Sequence, residues 1–299
     1  MFSGLYVALV TPFRTDGSLH EEKLRELVTF HIEAGTDGLV PCGTTGETPA
    51  LEGWAEQVRV IGAVVDEARG RIKIIAGAGT NSTAKTIENV RRLSDMGVDG
   101  ALVVTPYYNK PTQEGLYAHF HAVARESSVP LVLYNVPGRT GVNLLPETVA
   151  RLADDPMIAG VKEASGDLEQ ASMIVRCCGD RLDVLSGDDP LILPFLSVGG
   201  VGVISVLGNV VPKDVLAMIA AHRAGDAAKA REWHLRLLPL ARGLFLETNP
   251  VPVKEALNIL GFEVGPPRLP LVPMRPENAD ALRKILADYS LLRAGGEGA

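Results

Sequence analysis

The sequence predicts an α/β fold: a (β/α)8 TIM barrel carrying a C-terminal helical appendix. Two observations carry that reading. About eight short apolar runs alternate with helix-periodic segments, at intervals that suit βαβ crossovers and a parallel sheet. About eight such units in ~250 residues close most often into a barrel. An open doubly wound sheet is the alternative, and it is disfavoured because no Gly-rich dinucleotide fingerprint follows the first run.

The elements follow in order. Residues 5–10 form the first strand, and the polar loop 14–18 separates it from a helix. Leu24, Leu27, Val28, His31 and Ile32 recur there at i, i+3, i+4, i+7 and i+8. Gly35 ends that helix, and residues 38–43 make the second strand. A helix through Trp54, Val58 and Ile61 leads to the strand 72–76 and the loop 77–82. A helix containing Ile87, Val90 and Leu93 runs by Gly97 into the strand 101–105. The helix 116–124 and the strand 131–134 come next, then the helix 145–152, opened by Pro146 where proline suits a first turn. The uncharged run 158–161 is a strand that delivers Lys162 to its C-terminal mouth. A helix near 168–175, the strand 182–186, a short helix 191–198 and the strand 201–206 complete the alternation. Only helical periodicity follows, over 216–222, 227–246, 253–260 and 279–292, with Pro-rich joints at Pro250-Val-Pro252 and Pro266-Pro267. The chain divides into a barrel over residues 1–224 and a helical region over 225–299 packed on it, with no low-complexity linker.

Bulk properties exclude several classes. The net charge of −7 comes without a run of like charges or a basic stripe, so no nucleic-acid partner is expected. Cys42, Cys177 and Cys178 are odd in number and lack a paired spacing, which fits a reducing cytoplasm and no disulfide framework. The N-terminus has no basic segment ahead of its apolar run and reads as a strand rather than a signal peptide. Residues 191–211 carry no charge and are long enough to span a membrane. Pro194, Gly199, Gly200, Gly202, Gly208 and Asn209 interrupt them, so a short helix, a glycine turn and a buried strand are expected, and no membrane partner. His119 and His121 lie two apart on a helix and face different ways, and no carboxylate cluster suggests a metal. The loop 77–82 lacks the third glycine and the lysine of a P-loop, and no G-x-S-x-G is present.

What remains lies at strand ends. A lone lysine at such a place is usually a snorkelling edge residue, but Lys162 has company. Gly43-Thr-Thr-Gly-Glu47 follows the second strand; its glycines and N–H groups suit either a simple turn or a wrapped carboxylate. Tyr134 ends the fifth strand and Arg139 sits in its loop. Gly187 follows Ser186, and the pair Tyr107-Tyr108 follows Thr105-Pro106, where adjacent tyrosines are usually packing or interface residues. In a barrel these loops meet at one mouth. A free lysine is neutral in only about 1 in 2,500 molecules at pH 7; desolvation at an apolar strand end raises that share. A neutral amine adds to a ketone and forms an imine, an electron sink that lets the adjacent carbon lose a proton and attack an aldehyde. Tyr134 and Thr45 can relay protons, and an arginine suits a carboxylate.

These residues resemble the pyruvate-dependent class I aldolase family, whose members include N-acetylneuraminate lyase. The resemblance runs from Gly4 to about residue 270. It is carried by Val10-Thr-Pro-Phe13, Gly43-Thr-Thr-Gly-Glu47, Val104-Thr-Pro-Tyr-Tyr-Asn109, Tyr134-Asn-Val-Pro-Gly-Arg-Thr-Gly141 and Gly160-Val-Lys-Glu-Ala-Ser-Gly166. Leu185-Ser-Gly-Asp-Asp189, Gly202-Val-Ile-Ser205 and Asn249-Pro-Val-Pro-Val-Lys254 match as well. The double threonine together with Pro-Gly-Arg-Thr-Gly is most similar to the branch that condenses pyruvate with aspartate semialdehyde, opening lysine and diaminopimelate synthesis. The alternative is another member acting on a 2-keto-3-deoxy sugar acid, N-acetylneuraminate or 4-hydroxy-2-oxoglutarate. A non-catalytic sensor on the same fold is disfavoured by the complete set of lysine, tyrosine and threonine.

The resemblance implies that Lys162 forms the Schiff base, with no separate cofactor, and that Tyr134, Thr45 and Tyr108 form a proton relay. It implies that Thr44 and Thr45 hold the pyruvate carboxylate, that Gly187 and Ile204 line the pocket, and that Arg139 binds the aldehyde's carboxylate. Tyr108 is expected across a subunit interface, in an assembly that is at least a dimer and in this family usually a homotetramer. Lysine-inhibited members place histidines at the positions of Gly53 and Glu56 and a glutamate at that of Lys85. This chain keeps Asn81 and Tyr107 but has a cation at Lys85, so weak or absent inhibition by lysine is expected, with Glu56 as a partial substitute anion. Like charges in a partly desolvated cleft cost about 1 to 4 kcal/mol.

Overall fold

The computed structural model describes residues 1–292, so the end of the helical region expected over 225–299 lies outside the described residues. Its eight parallel strands are β1 (Gly4–Ala8), β2 (Gly38–Val40), β3 (Lys73–Gly77), β4 (Gly100–Val104), β5 (Leu131–Asn135), β6 (Ile158–Glu163), β7 (Asp183–Ser186) and β8 (Gly202–Ser205). They pair in sequence order and β8 closes on β1, the barrel expected from the alternation. Most strands fall within a residue or two of the predicted runs. The second is the exception: it was expected over 38–43 and its ladder ends at Val40. Pro41 has no N–H to donate, and Cys42 turns into the left-handed region at φ 54°.

The barrel helices are α1 (Glu21–Ala34), α2 (Gly53–Ala68), α3 (Thr83–Leu93), α4 (Gln113–Ala124), α5 (Pro137–Thr140), α6 (Pro146–Leu152), α7 (Leu168–Cys178), α8 (Ile192–Ser197) and α9 (Pro212–Arg223). Ser82, Thr112, Asp167 and Asp226 accept from backbone N–H groups of the helices that follow them, each cap contributing about 1 kcal/mol. After α9 come α10 (Ala227–Gly243), α11 (Val251–Ile259) and α12 (Pro276–Asp288). Residues 137–140, read from sequence as loop, make the single turn α5, its proline at the helix start. The uncharged stretch from 191 divides into α8, the Gly199-Gly200 turn and β8, and no described helix is long and apolar enough to cross a membrane.

Strand alternation sorts side chains into two layers. Leu5, Val7, Val103, Leu133 and Val161 face the helices in the main core. Tyr6, Ala8, Val40, Ile75, Leu102, Val132, Tyr134, Leu185 and Ile204 fill the barrel interior as a second cluster, so the barrel is a packed core with chemistry confined to its rim. The seam between β1 and β8 pairs Gly4 with Gly202, and a Cβ on Gly202 would overlap the Gly4 backbone. Gly202→Ala is therefore expected to destabilise the chain by about 1–3 kcal/mol. A lower urea midpoint at unchanged slope would show this, and an unmoved midpoint would show that the seam can open to admit a side chain.

Candidate active site

β5 and β6 run in a register that sets Tyr134 opposite Lys162. Both face the barrel interior, where Leu185, the β7 partner of Lys162, also lies. Lys162 is 6% exposed and its Nζ stands 4.4 Å from the centroid of the Tyr134 ring. Gly187 leaves room beside it: a Cβ there would overlap the Ala164 side chain and come within 3.1 Å of Lys162 Cε. The Gly187 N–H donates to the Glu163 carbonyl at 2.7 Å, fixing this close approach. Ile204 is fully buried in the same interior cluster as Tyr134.

Carboxylates brace the strand ends. Glu163 faces away from the barrel, where it accepts from Asn135 Nδ2 at 2.9 Å, Gln170 Nε2 at 3.1 Å and the Ser165 N–H at 2.7 Å. Asp189 accepts from Ser205 Oγ and from the N–H groups of Val206 and Leu207, at 3.0 and 2.8 Å, pinning the exit of β8. Burial pushes both carboxyls up, and their hydrogen bonds oppose it. Asp188 is pushed up by burial too, with the field of Lys162 pulling it back.

The loop after β2 is held at every turn. Thr45 is buried and its Oγ1 accepts from Asn249 Nδ2 at 3.0 Å. The Gly46 carbonyl accepts from Thr11 Oγ1 at 2.7 Å, and Thr48 Oγ1 donates to the Gly43 carbonyl at 2.9 Å. Glu47, in the left-handed region at φ 53°, accepts from Lys254 Nζ at 2.7 Å and from the Arg268 N–H at 2.8 Å. Lys254 Nζ also donates to the carbonyls of Thr11 and Pro266, at 3.1 and 2.9 Å. Burial pulls the Lys254 ammonium down, and Glu47 opposes it.

A cleft of about 440 Å3 opens over Tyr134, and Thr44, Gly79, Val104, Tyr107 and Arg139 help to line it; that size suits a small-molecule site. Arg139 comes from α5, and its Nη2 donates to the Asn249 carbonyl at 3.2 Å. Lys162, Tyr134, Thr44, Thr45, Arg139, Gly187 and Ile204 thus gather at one end of one barrel. Tyr108 does not join them. It sits on a left-handed turn at φ 73°, 90% exposed, held by its backbone N–H to the Thr140 carbonyl at 3.3 Å. His119 is buried and His121 partly exposed, as their spacing predicts, and no described group of three or more metal-ligating side chains could hold an ion.

Sequence reasoning named Asn249, Lys254 and Glu47 only within matching motifs, and gave neither them nor Arg268 a part in clamping the threonine loop. One signal was available, since Lys254 is a charge set among Val251, Val253, Ala256 and Leu257 on a helix, where the apolar face leaves no place for an unpaired cation. Glu56 is also committed. Arg268 donates to both its oxygens at 2.6 Å and the Glu52 N–H donates at 2.7 Å, which holds its carboxyl below the usual range.

Residues 1–289 match the Dihydrodipicolinate synthetase family. The protein named 4-hydroxy-tetrahydrodipicolinate synthase in Geotalea uraniireducens is 53% identical over 292 residues, 98% of this chain and 100% of that one. The crystal structure of dihydrodipicolinate synthase from Aquifex aeolicus is 46% identical and superposes with a TM-score of 0.94, covering 97% of this chain and 99% of that chain. The chloride-inhibited dihydrodipicolinate synthase from Acinetobacter baumannii, complexed with pyruvate, is 42% identical with a TM-score of 0.95, covering 98% of this chain and 100% of that chain.

The clamp on the threonine loop gives a stability test. Lys254 and Glu47 side chains are each 1% exposed, so removing one leaves a buried charge. Lys254→Ala is expected to cost about 3–5 kcal/mol in chemical denaturation. A cost below ~1 kcal/mol, the range of a surface pair, would show that water reaches Glu47 and that the pair does not hold the loop.

Proposed function

Because the chain belongs to the Dihydrodipicolinate synthetase family, we infer that its barrel mouth condenses pyruvate with aspartate semialdehyde to give 4-hydroxy-tetrahydrodipicolinate. The observation that carries the mechanism is the buried Lys162 amine facing Tyr134 across one ladder position. After giving up its proton, the amine adds to the ketone of pyruvate, and the carbinol oxygen leaves as water to form the imine. The imine then draws electrons from the adjacent methyl carbon as that carbon loses a proton. The resulting enamine carbon bonds to the aldehyde carbon of the semialdehyde, and the aldehyde oxygen takes up a proton as a hydroxyl. The amino group of the condensed product adds to the imine carbon, the lysine amine departs, and a six-membered ring closes. One water is lost overall, and the imine is the electron sink, so these steps call for no separate cofactor.

Each proton needs a carrier within hydrogen-bond reach. Tyr134 and Thr45 serve as the relay within this chain, and Tyr108 completes it from a second subunit. The outward, largely exposed stance of Tyr108 supports that placement, and it makes the active unit at least a dimer, proposed as a homotetramer. The Thr44 hydroxyl and the N–H groups of Thr44 and Thr45 hold the pyruvate carboxylate, with Gly187 and Ile204 shaping the pocket around its methyl end. Arg139 spends one donor on Asn249 and keeps a planar fork for the carboxylate of the semialdehyde. The C-terminal helices act as an accessory to the barrel rather than a unit with its own activity, which the reach of Asn249 and Lys254 into the barrel supports. A cytoplasmic site of action fits three cysteines that are all free.

Borohydride with pyruvate is expected to trap an adduct on Lys162, and Lys162→Ala to lower kcat by about 10³-fold or more. An adduct on Lys254 or Lys73 would overturn the assignment, and turnover with sugar aldehydes alone would overturn the substrate. Lysine is expected to inhibit little at millimolar concentration, because Lys85 lines the cleft and Glu56, its expected substitute, is bound up with Arg268. An inhibition midpoint below about 1 mM, near −4 kcal/mol of binding, would show that another anion receives the ligand.

A further inference from the structure

Asn249 reaches the site from the far end of the chain, just ahead of α11. It is 5% exposed, its Nδ2 donates to Thr45 Oγ1 at 3.0 Å, and its carbonyl accepts from Arg139 Nη2 at 3.2 Å. One residue therefore touches both the relay hydroxyl and the arm that holds the second substrate. Its Oδ1 is buried with no hydrogen-bond partner. Turned over, the same amide would offer that oxygen to Thr45 and draw the hydroxyl proton into the wall.

A threonine hydroxyl has one proton to give and two lone pairs to receive with. An amide N–H is a permanent donor, so a hydroxyl that accepts from it keeps its own proton free for another partner. We propose that Asn249 is a positioning residue: by donating to Thr45 Oγ1 it aims the Thr45 proton away from the wall and into the relay with Tyr134. Through its carbonyl it ties that direction to the placement of Arg139. The same stretch of chain secures the other end of the loop, because Lys254, five residues on, grips Glu47. The loop from Gly43 to Glu47 is held at two points by one helix start, which keeps the hydroxyl at a constant distance while its proton moves. The proposal rests on Thr45 belonging to the relay.

Of the charged groups on the elements that meet here, Arg139 on α5 donates to the Asn249 backbone carbonyl, while Lys254 on α11 and Glu47 on the clamped loop pair with each other. In Asn249→Asp the shape is kept, and the new carboxyl, whose ordinary pKa is about 3.9, is ionised at neutral pH. An ionised carboxylate only accepts, so it takes the Thr45 proton out of the relay, whereas its protonated form can donate again. The test is kcat and KM for the full-length enzyme and its variants across the pH range. Asn249→Asp is expected to lose about 10- to 100-fold in kcat at neutral pH, with KM for pyruvate little changed. Relative to the unsubstituted enzyme it regains activity as the pH falls and the carboxyl takes up a proton. Asn249→Ala loses a similar factor at every pH, and in a Thr45→Val background it costs nothing further. If Asn249→Ala does not fold, the isosteric Asn249→Asp decides alone. Asn249→Asp turning over normally at neutral pH, or a loss that is the same at all pH values, would overturn the proposal. Full activity in Thr45→Val alone would instead overturn the relay reading beneath it, so the two failures are told apart.

Discussion

Strand register is the constraint on which the rest of the site depends. Once β8 pairs with β1 the sheet has no edge, and a slip of one residue between any two strands would turn a whole set of side chains from the interior to the helices. Tyr134 and Lys162 share a ladder position on neighbouring strands, so both face inward or neither does. The apolar interior of Val132, Leu185 and Ile204 makes the inward choice the stable one for the ring and for the four-carbon stem of the lysine. Only the amine and the phenol are left as polar groups at the ends of these two side chains. The same closure accounts for the glycines at the tight places: Gly202 at the β1 seam and Gly187 beside the Lys162 stem, where a single methyl would collide.

A rigid barrel does not by itself make a precise site, because the threonine hydroxyls stand on a loop. The helical region supplies the missing constraint. Lys254 is buried in α11 and makes three hydrogen bonds, to Glu47 and to the carbonyls of Thr11 and Pro266. Full satisfaction is what makes a buried charge tolerable. Arg268 joins the same network through its N–H to Glu47 and its guanidinium to Glu56. The helices after the barrel are therefore mechanically part of the barrel's rim, even though they contribute no strand.

Much of this was legible in the amino-acid sequence because it is written in local periodicity. Apolar runs of strand length alternating with helix-spaced residues specify a parallel α/β chain, and short motifs at the run ends specify where its chemistry sits. Lys162, Tyr134, Thr44, Thr45, Arg139 and Gly187 all follow from that logic, since a residue at the C-terminal end of a barrel strand is carried to the mouth whatever its distant neighbours are. The premature end of β2 and the single turn α5 were not read, because both depend on how a proline and a left-handed residue compete with continuation of the ladder or loop.

The sequence by itself determined the fold class and the residues at the strand ends, because each is set by neighbours within a few positions along the chain. Only the tertiary structure decided what holds those residues in place. Asn249 meets Thr45, Lys254 meets Glu47, and Arg268 meets Glu56, each across more than 200 positions of sequence. No spacing rule links such partners. They are joined because the last helices fold back over the barrel mouth, and each buried polar group had to find its hydrogen-bond partner there.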